Sequence, residues 1–121
     1  MLPVNVRRFI IANIPSVPYL EALLLLHSEP NAPWSSTLLA GRLYIPESRA
    51  QVLLLQLHQA QIVNAVANEF FYAPDATLRD LIDELSLLYS KHLLEITHLI
   101  HSNLDRQAQQ FADAFKLRKD P

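Results

Sequence analysis

The sequence predicts a mostly α-helical fold with one small β hairpin and a long C-terminal helix. Three observations carry that expectation. Apolar residues recur at helical spacing, most clearly Ala50, Leu53, Leu54 and Leu57 at i, i+3, i+4 and i+7. The β-prone runs Ile62-Val63-Asn64-Ala65-Val66 and Glu69-Phe70-Phe71-Tyr72 are separated by only Ala67-Asn68, the length of a two-residue hairpin turn. A four-three apolar rhythm then runs through Leu78, Ile82, Leu85, Tyr89, His92, Ile96 and Leu99.

Taken in order, residues 4–14 have helical spacing in Val4, Phe9, Ile10 and Ile14 and predict a short first helix. Pro15 and Pro18 bracket a break, with Ser16 or Val17 capping the next helix. Residues 18–28 are apolar nearly all round, which suits a central core helix better than a membrane or partner contact at this length. Residues 29–33 form a loop, since prolines at 30 and 33 cannot continue a helix. Ser35 is an N-cap for a helix over 35–42, and Trp34 with Leu39 has the spacing of a hydrophobic staple. Gly41 either admits another helix closely or ends this one early. Residues 43–45 turn the chain, and Pro46 opens a second helix over 46–60, with Glu47 at the positive end of its dipole. After the hairpin, Asp75 or Thr77 caps a long helix from Ala76 to Ser102. Asn103 and Leu104 mark a break. Asp105 caps a last amphipathic helix, with Leu104, Ala108, Phe111 and Phe115 on one side and Lys116-Leu117-Arg118-Lys119 at its end. The expected organisation is one domain over 1–102 followed by a helical tail over 103–121.

Composition narrows the chemistry. Half of the 121 residues are apolar, enough for a core without staples. Cysteine is absent, which removes disulfides, thiol catalysis and zinc–thiolate sites. Gly41 is the only glycine, so there is no glycine-rich elbow or phosphate loop; no catalytic residue and no cofactor is expected. His92, Glu95, His98 and His101 stand three residues apart, but each step rotates by −60°, so the four do not converge and no metal is expected. A net charge of −2 gives no bulk attraction to nucleic acid. Neither a signal peptide nor a membrane span is expected, and a cytoplasmic protein is the default.

The order helix, tight turn, helix, hairpin over residues 35–72 resembles a winged helix-turn-helix domain. Residues 35–42 match its supporting helix, 46–60 its recognition helix and 62–72 its wing. Within that superfamily the chain is most similar to small bacterial winged-helix proteins of unassigned function. The runs Ile14-Pro15-Ser16-Val17, Leu20-Glu21-Ala22-Leu23-Leu24-Leu25-Leu26 and Phe111-Ala112-Asp113-Ala114-Phe115-Lys116-Leu117-Arg118-Lys119 carry that likeness. The sequence departs from the pattern at Gln61, where such domains usually have a glycine before the wing, and this bears on the tightness of that turn.

The resemblance implies a transcriptional regulator that binds double-stranded DNA as a homodimer. Arg49, Gln51 and Gln56 would read bases, with Arg42 near them; Ser36 and Thr37 would touch phosphates, and Asn68 would approach the minor groove. The residues themselves point to a second reading. Over 35–72, Arg42 and Arg49 are balanced by Glu47 and Glu69, so counterion release supplies little affinity. The 100° wheel points Ser48, Val52, Leu55 and Gln59 outward, and the pair Val52 and Leu55 suits a protein contact. The alternative is therefore a winged helix that binds an unidentified protein partner and no DNA. The apolar stripe of the long helix predicts a two-fold dimer centred on Leu85, Leu88, Ile96 and Leu99.

Overall fold

A computed structural model describes residues 1–119, with side chains as far as Ala114. The order of elements is α1 (Val4–Asn13), α2 (Val17–Ser28), α3 (Ser36–Leu43), α4 (Glu47–Gln59), β1 (Val63–Val66), β2 (Glu69–Tyr72), α5 (Ala76–Tyr89) and α6 (Leu93–Lys119). The mostly helical class, the single hairpin and the long C-terminal helix are all present.

Helix α2 sits at the centre. Tyr19, Leu20, Ala22, Leu23 and Leu26 are buried on it, and it packs against α3, α4, β2 and α5. Its near-complete apolarity fits an element covered on several sides. The caps lie where polar side chains of the right length stand: Ser16 accepts from the Tyr19 amide at 3.2 Å, Ser35 from Leu38 at 3.1 Å and Asp75 from Leu78 at 2.8 Å. Among the described residues no single helix is long and apolar enough to cross a membrane; α1 and α2 together are apolar enough but are bent by 116°.

The hairpin pairs Val63 with Tyr72 and Val66 with Glu69. Trp34 adds a third, one-residue rung: its amide donates to the Phe70 carbonyl at 2.8 Å, and the Phe70 amide donates back at 2.7 Å. Fully buried, Trp34 does more than staple α3; it anchors the chain entering α3 to the hairpin after α4.

Four expectations need correction. Pro46 is the N-cap of α4 and not its first residue, with φ −63° and ψ 148°. Gly41 neither ends α3, which continues to Leu43, nor admits a neighbour, since an added Cβ would meet nothing within 4 Å. The chain leaves the helix between Tyr89 and Leu93, where an unbroken helix over 76–102 is expected from the rhythm. Conversely, α6 runs through Asn103 and Leu104 without a break, so the expected boundary at 102 falls inside a helix.

The cause of the last two is α1. It packs against both α5 and α6, and only a bend lets both run along it. Polar ties mark the contact: Asn5 Nδ2 donates to Glu84 Oε2 at 3.2 Å, the Leu2 amide to Glu95 Oε1 at 3.3 Å, and Asn103 Nδ2 to the Ile11 carbonyl at 3.0 Å. The Leu2 amide holds the Glu95 carboxyl below the usual range, and His92, with Nδ1 3.3 Å from Glu95 Oε2, acts in the same direction.

Candidate interaction surface

Helix α4 is fixed by its inner face and by both ends. Ala50, Leu53, Leu54 and Leu57 are all buried, as their spacing predicts. At its C-terminal end the Ile62 amide bonds the Leu57 carbonyl and the Gln61 amide bonds the His58 carbonyl, both at 3.0 Å. This is a Schellman motif, completed by the buried apolar pair Leu57 and Ile62. Gln61 occupies its left-handed position with φ 63°. The turn from α4 into β1 is therefore tight without a glycine, at the cost of a strained glutamine backbone. Tyr44, with φ 57°, closes α3 in the same way, and Ala67, with φ 55°, turns the hairpin.

So held, α4 turns Ser48, Val52, Leu55 and Gln59 outward, all exposed. The two aliphatics are 53% and 46% exposed, large values for residues in the middle of a helix. A groove of about 570 Å³ lies between the start of α3, α4 and the hairpin. The candidate residues Ser36, Thr37, Gln51 and Asn68 line it together with Leu55 and His58. A second groove of about 440 Å³ lies on the other flank of α4, where Arg49, Val52 and Gln56 meet Pro15, Ser16 and Ser48. The residues expected to read bases are thus divided: Gln51 belongs to one groove, Arg49 and Gln56 to the other, with Val52 and Leu55 also split between the two.

Arg42 is committed elsewhere. Its Nη2 lies 2.8 Å from Glu29 Oε2, and its guanidinium stands 5.6 Å from the Trp34 ring centroid. That leaves Arg49 as the cation without an ion-pair partner over residues 35–72, all of which are described, while Glu47 and Glu69 are both exposed. His58, not singled out from the sequence, is exposed beside the hairpin with its ring 6.4 Å from Phe70. Its place three residues after Leu55 and seven after Gln51 puts it on their face of the helix and was legible.

Behind the hairpin, His27 Nε2 lies 2.7 Å from Asp83 Oδ1, and its ring is edge-on to the Tyr72 ring at 5.9 Å. The Arg79 guanidinium stands 5.8 Å from the Tyr72 ring centroid. Burial, and then Asp83, push the Tyr72 hydroxyl up to about 12, with Arg79 opposing. This cluster joins α2, β2 and α5 and so supports the hairpin from the core side.

The expected dimer centre is differently placed. Leu85 and Ile96 are wholly buried within one chain, and Leu88 and Leu99 are partly buried against the same core. The bend between α5 and α6 folds Leu85 and Ile96 onto the chain's own interior, so these two are not free to be shared. The side chains of Phe115 and of the basic run 116–119 lie outside the described residues. No protein-family model matches this chain, and neither a curated protein nor a solved structure matches it.

Proposed function

We propose that this chain is a cytoplasmic winged-helix module that recognises a protein partner through the outward face of α4. The order α2, bridging Trp34, α3, α4 and hairpin supports the winged-helix reading. The observation that carries the choice of partner is the exposure of Val52 and Leu55 on a face where Arg49 is the one cation unpaired among the described residues. Each aliphatic is about half exposed, so covering it recovers roughly 1 kcal/mol, a part of the value for full burial. Arg49, Gln51 and Gln56 then act as the polar rim that orients the partner. One free cation on this face contributes a salt slope of only about −0.9, far too little for firm DNA binding through α4 at physiological salt.

The test is Val52→Asp with Leu55→Asp. Both positions are exposed, so far-UV spectrum and urea midpoint should stay close to wild type, while capture of the partner from cell extract is lost. An interaction profile unchanged by the double substitution would count against the reading.

A second reading, double-stranded DNA, is favoured by the exposure of Arg49, Gln51 and Gln56 on one helix with Ser36, Thr37 and Asn68 around the adjoining groove. Fluorescence polarisation with pooled genomic fragments at low salt separates the two. Binding abolished by Arg49→Ala with Gln51→Ala would put the DNA reading first.

A further inference from the structure

The two grooves beside α4 differ in the charge they select. No charged side chain lines the one of about 570 Å³, where His58 is the only titratable group. The groove of about 440 Å³ is lined by Arg49 and by no acidic side chain. Helical geometry keeps it so, since Glu47 falls about 160° round the helix from Arg49 at 100° per residue. Arg49 has no ion-pair partner among the described residues, whereas Arg42 is held by Glu29. The chain as a whole carries −2, so this groove is a local positive site on a protein of net negative charge.

Its lining is ordered along the helix. Arg49 and Gln56 fall within about 20° of one another and roughly 10 Å apart along the axis. Between them lie exposed Val52 and buried Leu53, with Pro15 completing the wall from the α1–α2 turn. Ser48 adds a hydroxyl at the arginine's end, while the Ser16 hydroxyl is already taken by the Tyr19 amide. We propose that this groove seats an acidic segment of the protein partner. A carboxylate meets Arg49, an aliphatic side chain covers Val52 and Leu53, and the backbone beyond it meets the Gln56 amide.

This occupant rests on α4 being a protein-binding face, and it narrows that face to its Arg49 side. A guanidinium presents a fork of donors that matches a carboxylate with two parallel bonds, as a lysine does not. Apolar cover over Val52 and Leu53 excludes water beside that pair and strengthens it. About three extended residues, at roughly 3.3 Å each, reach from Arg49 to Gln56. The alternatives fit less well. A basic segment meets Arg49 with no acid in the lining to offset it, and a wholly apolar one covers the guanidinium without pairing it.

The experiment selects random peptides displayed on phage against the immobilised full chain, then measures the enriched peptides by fluorescence polarisation. The enriched set should carry Asp or Glu next to Leu, Ile or Val. Raising salt from about 50 to about 500 mM should weaken their binding several-fold. Arg49→Glu should weaken it at least tenfold, and Arg49→Lys by less. Val52→Asp should abolish binding, whereas Leu55→Asp, in the other groove, should leave it within about twofold of wild type. These positions are exposed, so the urea midpoint of each variant should match the wild type. Enriched peptides without acidic residues that survive Arg49→Glu but not Val52→Asp with Leu55→Asp would overturn the acidic occupant and leave the protein-binding face standing. No enrichment over an unrelated immobilised protein would overturn both. Pooled genomic fragments that displace the peptides, and whose own binding is lost with Arg49→Glu, would assign the groove to DNA and overturn it as well.

Discussion

Replacing Leu85 by alanine separates a core role from an interface role for the stripe on α5. Leu85 is fully buried within one chain, beside Ile82 and Ile96 in the same condition. The substitution deletes three carbon groups at about 0.8 kcal/mol each, roughly 2.4 kcal/mol of transfer free energy. The position is enclosed by α1, α2 and α6, all of which pack on or beside α5, so the site can collapse only partly. The cavity term then takes the expected loss to about 3–4 kcal/mol, inside the usual range for buried leucines. Urea denaturation monitored by circular dichroism, run at two protein concentrations tenfold apart, measures it. The loss should be the same at both, because the contacts are intramolecular. Exposed Leu94, at 84%, is the control, and alanine there should change stability by less than about 0.5 kcal/mol. A Leu85→Ala loss below about 1 kcal/mol, or one that grows on dilution, would refute the assignment of this residue to the core of a single chain.

Two further expectations concern backbone and pH. Gly41→Ala should stabilise by about 0.8–1 kcal/mol, since position 41 is helical and open; Ala67→Gly should stabilise by roughly 0.5–1 kcal/mol by relieving φ 55° at the hairpin tip. Thermal melts read both, and a lowered midpoint for either contradicts the geometry. Tyr19 and Tyr72 are both pushed up to about 12, by burial first. A folded-state value above the unfolded one means that the stability is complete below about pH 10 and is lost as pH rises towards 12. Tyr19 alone should account for roughly 2–3 kcal/mol of that loss, and Tyr19→Phe should flatten the fall in urea midpoint over this window. An equally steep fall in the phenylalanine variant would rule out Tyr19 as its source.

The local elements could be read because their causes are local. Ser16, Ser35 and Asp75 each bond an amide three residues on, an interaction that needs nothing from the rest of the chain. The same holds for the inward set of α4 and the outward Val52 and Leu55, which come from 100° per residue alone. The candidate site was legible as a set of side chains but not as a surface. Gln51 and Arg49 lie two residues apart, yet they line different grooves, because α3 and the hairpin flank one side of α4 and the α1–α2 turn flanks the other. Arg42 carries a charge in the sequence whose commitment to Glu29 depends on a loop 13 residues away.

Period and side-chain length, acting within a turn or two, are enough to place most of the helices, their caps, the hairpin and the burial of α2. The bend after Tyr89 is a different matter. Residues 76–102 carry an unbroken apolar rhythm with neither glycine nor proline to end it, and local propensity favours one helix. Packing on α1 outweighs that preference, because burying Leu85, Ile96 and Ile100 together stabilises by several kcal/mol, more than a lost turn of helix costs. The same competition explains the continuous helix through Asn103. A residue that would end an isolated helix instead directs its side-chain amide to the Ile11 carbonyl, a partner 92 positions away that only the folded chain brings within reach.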